Sequence, residues 1–330
     1  MNNEKYAFEN DKTSWIEKYR IIKLKNIIGQ DEIINFMINI TKTLEMPNLL
    51  LWGSPGVGKT SSALSLCYEL YGFKRLEQNI LELNASDERG IGVVRNKIIN
   101  FTKLKTTTED PNYPSPPFKI IILDEAESMT KDAQTALRKV MESYSYITRF
   151  IFICNNIHNI IEPIQSRCMK FKFKEIPCNN IKEKILEISN NENINIKNSG
   201  INAVIKLSSG DMRKCILFLQ NLKYLNIKLN KKNIYKNSRY ITYKKFNKYV
   251  LNIKNCDDVI NVSRELNNEG YLFNSILECY VKFILKQKID DKTKSKILFD
   301  LTNTENNINS GCDEELQLWI LLNNIRNILF

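Results

Sequence analysis

Histidine is all but missing: His158 stands alone in 330 residues, and the 8 cysteines are scattered singly, with no Cys-x-x-Cys pair. These scarcities argue against a zinc site built on paired ligands and against a disulfide framework, so most of the thiols are expected in the core. No apolar run approaches the roughly 18 residues of a spanning helix, and Met1–Asp11 is polar and partly acidic, so neither a membrane span nor a secretory signal is expected. What is present is ordinary in bulk: 43% hydrophobic and 26% charged residues suffice for a folded chain, and the length calls for two or three domains. The charge is lopsided. A net +11 suits a polyanionic partner, although many lysines fall in Asn/Lys/Ile-rich stretches (Asn190–Asn198, Asn226–Asn237) that serve equally well as solvated faces.

Short apolar runs alternate with helical patterns through the first half. Asn48–Trp52 ends in a Gly-rich turn, after which Ala63, Leu66, Cys67 and Leu70 recur at helical spacing up to Gly72. Ile80–Leu83, Lys119–Leu123 and Arg149–Cys154 read as further buried strands, separated by helices carrying Ile91, Val94, Ile98 and Phe101, then Ala133, Ala136, Leu137, Val140 and Met141. That alternation predicts a parallel sheet with helices on both faces. Met169–Phe173, with Phe171 and Phe173 on one side and lysines on the other, closes a first domain at residue 175. A Pro-, Thr- and acid-rich loop is expected between Thr106 and Pro117. Residues 176–237 read as a small, wholly helical domain in which Ser208–Asp211 caps a helix bearing Met212, Cys215, Ile216 and Leu219 on one face. A third, all-helical domain covers 238–330 and includes Glu314–Ile328, patterned on Leu316, Trp319, Ile320 and Asn323.

The chemistry concentrates in the first domain. Gly53-Ser54-Pro55-Gly56-Val57-Gly58-Lys59-Thr60 is a complete G-x-x-x-x-G-K-T between a predicted strand and a predicted helix. Its glycines let backbone N–H groups wrap phosphates, the helix start adds positive potential, Lys59 reaches the β- and γ-phosphates, and the Thr60 hydroxyl is a magnesium ligand. Ile120–Leu123 then delivers Asp124 and Glu125 at the carboxyl end of a strand, where α/β sheets bind ligands. Asp124 can hold magnesium and Glu125 can polarise an attacking water. An acidic pair behind a strand is also an ordinary helix start; its company with Gly53–Thr60 favours the catalytic reading.

Five strings go further than these motifs. L-N-A-S-D-E-R-G (Leu83–Gly90), L-D-E-A-E-S-M-T-K-D-A-Q-T-A-L-R-K-V-M-E (Leu123–Glu142), I-I-E-P-I-Q-S-R-C (Ile160–Cys168), W-I-E-K-Y-R (Trp15–Arg20) and G-D-M-R-K (Gly210–Lys214) closely resemble the small subunits of replication factor C. The likeness spans about residues 13–225 in order, and Tyr113–Phe118 leans toward the eukaryotic branch called subunit four in vertebrates and two in fungi. It implies an AAA+ domain, a helical lid and a helical collar. It also implies an ATP- and magnesium-dependent subunit of a nuclear hetero-pentamer that loads a ring-shaped sliding clamp onto primer-template DNA.

The resemblance assigns further residues. Ile16 and Arg20 lie where the family contacts the nucleotide base. Asn155 matches the first sensor, although Asn at a strand end is also a common turn former. Arg213 matches the second sensor; it falls off the Met212/Cys215/Ile216/Leu219 face, and an exposed salt-bridging arginine is the competing reading. Arg167 matches the arginine finger that completes a neighbouring subunit's site, a task suited to its planar fork of donors. Arg89, Ile91, Gly92, Arg95 and Lys131 match helix starts that track a DNA backbone without reading bases, against the plainer reading of a solvated basic face. The chain departs from the family at Ile21, where proline usually follows the Tyr-Arg pair, and at Ser54 and Val57 in the phosphate loop. Two other functions stay open: a subunit of another AAA+ assembly, and a scaffold that binds nucleotide without hydrolysing it.

Overall fold

The computed structural model describes residues 14–85, 91–103, 111–225 and 228–329, the side chains of 91–95, 328 and 329 apart. In chain order the helices are α1 (Trp15–Lys18), α2 (Asp31–Thr43), α3 (Lys59–Tyr71), α4 (Leu76–Asn79), α5 (Ile91–Lys103), α6 (Lys131–Ser143), α7 (Glu162–Gln165), α8 (Cys178–Asn191), α9 (Asn198–Ser208), α10 (Met212–Tyr224), α11 (Lys231–Asn237), α12 (Tyr243–Leu251), α13 (Cys256–Asn268), α14 (Phe273–Lys286), α15 (Asp291–Asn309) and α16 (Glu314–Leu329). The strands are β1 (Leu49–Gly53), β2 (Ile80–Asn84), β3 (Lys119–Asp124), β4 (Thr148–Cys154) and β5 (Met169–Phe173). They form one sheet in the order β2-β3-β4-β1-β5, every neighbouring pair parallel.

Side-chain alternation explains why both faces are covered. Leu50, Ile121, Leu123, Phe150 and Phe152 join Ile98 and Phe101 of α5 and Leu137, Val140 and Met141 of α6 in one buried cluster. The intervening Leu49, Leu51, Ile120, Ile122, Ile151 and Ile153 are equally buried, and α3 lies against β1, β3 and β4. Ile80–Leu83 is not the fully buried strand expected from its apolar run. It is an edge strand, so Leu83 is buried while Glu82 and Asn84 are exposed. Of the loop expected between Thr106 and Pro117, residues 106–110 lie outside the described ones.

The chain divides into two compact units: one runs to Asn195 and resumes at Val204–Leu225, and the other comprises Ile196–Ala203 and the chain from Asn226 onward. The stretch 176–237 is helical, as expected, apart from a single parallel bridge between Ile196 and Leu229. The second unit buries Phe246, Val250, Leu266, Tyr280, Phe283 and Ile284 together with Leu318, Leu321, Leu322 and Ile325 of α16. This corrects the face expected for α16, since Leu316 and Ile320 are 52% and 49% exposed. The segment Leu316–Leu322 is apolar nearly all round, so periodicity alone could not choose the side that α13 and α15 cover. Among the described residues no helix is long and apolar enough to cross a membrane.

Candidate nucleotide-binding site

Parallel pairing brings the carboxyl ends of the strands to one edge. The register sets Asn84 beside Asp124 and Trp52 beside Cys154, so Asn84, Asp124, Asn155 and the turn after Gly53 fall in a row. Two glycines of that turn are dictated by space. At Gly53, with φ +144°, an added Cβ would stand 2.5 Å from the Phe173 carbonyl oxygen of β5. At Gly56, with φ +72°, it would run into the Asp211 carboxylate, which caps α10 by accepting from Lys214 N–H. The Gly56 carbonyl in turn accepts from Met212 N–H at 3.3 Å, so the loop leans on the start of α10. Ser54 is exposed and stands outside the cleft, whereas Val57 is buried and lines it with an apolar side chain that offers no polar group to a ligand.

Lys59 opens α3 and is 7% exposed. Its Nζ donates to the carbonyls of Gly53 and Ser54, both at 2.8 Å, and to Asn155 Oδ1 at 2.9 Å. Burial lowers its pKa, and the nearby Asp124 carboxylate works in the opposite direction. Thr60 Oγ1 donates to Asp124 Oδ2 at 2.8 Å. Asn155 is held from two sides, since its own N–H donates to Glu127 Oε1 at 2.9 Å. Glu125 follows β3 with φ +51° and is exposed, its N–H donating to Asp124 Oδ1 at 2.8 Å.

These groups border a cleft of about 370 Å³. One end is the loop Pro55–Thr60 with Asp124, Glu125 and Asn155; the other is apolar, walled by Ile16, Ile28, Ile176 and Ile216. Arg20 lines it too, paired with Glu17 at 2.6 Å, as does Arg213, whose side chain is exposed at the start of α10. The cleft therefore gathers Ile16, Arg20, the phosphate loop, Asp124, Glu125, Asn155 and Arg213. It leaves out Arg167, which is 40% exposed and donates to the Pro163 carbonyl at 2.8 Å and to Glu142 Oε1 at 2.6 Å. Lys131 is exposed at the start of α6. Arg89 lies outside the described residues; Ile91, Gly92 and Arg95 fall in the first turns of α5, and their side chains lie outside them. A hollow of about 570 Å³, lined by Phe36, Met46, Phe118, Tyr146 and Met169, sits at the opposite edge of the sheet, away from the phosphate loop and the acidic pair.

Sequence reasoning missed Asn84, Glu127 and Gln134. All three lie inside the quoted strings, and the strand-end Asn84 and the acidic Glu127 carry a signal in retrospect. Gln134 is 1% exposed; its Nε2 donates to the Met129 and Asn159 carbonyls at 3.2 and 3.0 Å, and its Oε1 accepts from Ile161 N–H at 2.8 Å. Nothing in a helical repeat predicts a buried glutamine.

Comparison with known proteins agrees with this geometry. The model of the ATPase family associated with various cellular activities matches residues 49–176, and that of the replication factor C C-terminal domain matches 242–322. Replication factor C subunit 2 of Schizosaccharomyces pombe is 38% identical over 94% of this chain and 93% of its own. Subunit 4 of Arabidopsis thaliana is 39% identical over 92% of both chains. The replication factor C small subunit of Methanococcus vannielii is 38% identical over 93% of this chain and 96% of its own. Among solved structures, the Thermotoga maritima RuvB Holliday junction branch migration motor shares the fold, with a TM-score of 0.52 at 15% identity over 75% of this chain and 85% of that one. With an ATPase fold, a phosphate loop intact from Gly53 to Thr60 and relatives matched along nearly their whole length, the chain belongs to the replication factor C small subunits, the ATPase subunits of clamp loaders.

Proposed function

We propose that ATP binds with its triphosphate on Gly53–Thr60 and its base against Ile16 and Arg20, and that its hydrolysis drives the loading of a ring-shaped clamp onto primer-template DNA in the nucleus. The observation that carries this reading is the convergence of Lys59 Nζ, Asn155 Oδ1 and the Thr60–Asp124 pair at the carboxyl edge of the sheet. Lys59 Nζ, which donates to the Gly53 and Ser54 carbonyls and to Asn155 Oδ1, would donate hydrogen bonds to the oxygens of the β- and γ-phosphates. Thr60 and Asp124 offer hard oxygen donors that fit magnesium, which when bound neutralises charge on the β- and γ-phosphates. Glu125 polarises the attacking water, and Asn155, steadied by Glu127, orients it. Arg213 carries nucleotide state into the lid. Arg167, turned to Glu142 and absent from the cleft of its own chain, serves the neighbouring subunit.

The working division is an ATPase domain over 1–175, a lid over 176–237 and a collar over 238–330 that joins the subunits. Arg89, Ile91, Gly92, Arg95 and Lys131 remain the proposed DNA contacts, through phosphates. Lys59→Ala should abolish tight ATP binding, because its charge holds the β- and γ-phosphates, while Glu125→Gln should bind ATP normally and lose turnover. Titration calorimetry and phosphate release separate the two outcomes. Undiminished ATP binding by Lys59→Ala sinks the assignment of the loop.

A further inference from the structure

Glu192 follows the last turn of α8 and is 7% exposed. Its Oε1 accepts from Lys18 Nζ at 2.7 Å and from the Tyr19 hydroxyl at 2.6 Å, and its Oε2 accepts from Lys223 Nζ at 2.7 Å. Lys18 and Tyr19 sit at the end of α1; Lys223 sits in the last turn of α10. The same two elements meet twice more. Trp15 N–H donates to Gln220 Oε1 at 3.3 Å, and the Lys223 ammonium stands over the Trp15 ring, 5.3 Å from its centroid. One buried carboxylate thus fastens the segment Trp15–Arg20 to the helix whose first turn holds Arg213.

We infer that Glu192 is a positioning residue for nucleotide binding: it locks the Ile16–Arg20 wall of the cleft onto α10, so that the base contact and Arg213 are set as one piece. This rests on the reading of Ile16 as a base contact. Three charge-assisted hydrogen bonds reinforce the burial of Trp15 and its bond to Gln220 in a segment whose own helix is only four residues long. Ile21 stands where the family usually fixes the turn with proline, so position must come from such contacts. The consequence is selective. Loosening the clasp should release the base and leave the phosphate loop, which is built by Gly53, Gly56 and Lys59 against β5 and Asp211, as it was.

The test compares ATP with inorganic tripolyphosphate, each with magnesium, on the purified full-length chain by titration calorimetry. Glu192→Ala should weaken ATP binding by about tenfold and leave tripolyphosphate affinity unchanged. Glu192→Gln keeps the acceptor in place without its charge and should fall between; it also serves if the alanine variant fails to fold. Equal losses for both ligands would make Glu192 a merely structural residue and overturn the inference. Ile16→Ala separates the two readings. If it weakens ATP while neither Glu192 variant does, the clasp is wrong and the base contact stands. If Ile16→Ala leaves ATP affinity unchanged, the base contact fails and takes the inference with it.

Discussion

At neutral pH the Glu192 carboxylate is charged inside the protein, and its titration follows from that position. Burial alone would raise its pKa, but the hydrogen bonds from Lys18, Lys223 and Tyr19 outweigh it and hold the carboxyl down at about 2, against an ordinary 4.5. A depressed folded-state pKa means that stabilisation is fully present above about 4.5 and is lost as the pH falls toward 2. Urea melts of the parent and Glu192→Gln should therefore differ most at pH 6 to 7, by about 1–3 kcal/mol once the half-exposed lysines are discounted, and converge on acidification. A difference that stays constant down to pH 3 would show that the carboxylate charge is not what holds the segment. Nothing in the sequence announces this residue. It stands in the Asn-rich stretch that reads as a solvated face, and its partners lie 174 and 31 residues away along the chain. The phosphate loop was legible for the opposite reason: backbone geometry and phosphate chemistry dictate its residues within eight consecutive positions, as at Gly53 and Gly56.

Among the secondary-structure elements, legibility followed burial. β1, β3 and β4 are central and covered on both faces, and their unbroken apolar runs declared them. The edge position of β2 was hidden, because strand order is a property of the sheet and not of the run. The buried face of α16 was hidden as well, since a helix apolar on most sides leaves the choice to its neighbours. α6 shows what such neighbours can demand: Gln134, four residues after the Thr130 cap, donates to the Met129 carbonyl just ahead of the helix and joins the helix to the Ile157–Ile161 turn through the Asn159 carbonyl and the Ile161 N–H. Gln134→Leu preserves bulk but takes the side-chain partner from the Met129 and Asn159 carbonyls and the Ile161 N–H, all partly buried. It should lower the unfolding free energy by roughly 2–4 kcal/mol, measured by urea denaturation. A loss below about 0.5 kcal/mol would mean that water replaces the amide there.

For the whole molecule, the proposed role of Arg167 is what would distinguish a shared ATPase from a self-contained one. The arginine is ion-paired to Glu142 and takes no part in the cleft beside Lys59. Arg167→Ala should leave ATP binding to this chain nearly intact and slow hydrolysis at the adjoining subunit by on the order of a thousandfold or more. The measurement needs rings in which only that neighbour can turn over, compared under saturating clamp and DNA. Equal rates would reduce Arg167 to a partner for Glu142. The sheet order bears on a different matter, the time at which the site comes into being. β1 is made early, yet its two neighbours are β4 and β5, the last strands to be synthesised. The carbonyl that crowds Gly53 belongs to Phe173, and the N–H that meets Gly56 belongs to Met212. A nascent chain still short of those residues carries the whole Gly53–Thr60 motif as an unanchored segment. Long-range parallel pairing is slow to form, so ATP can report on folding only after most of the first unit has left the ribosome.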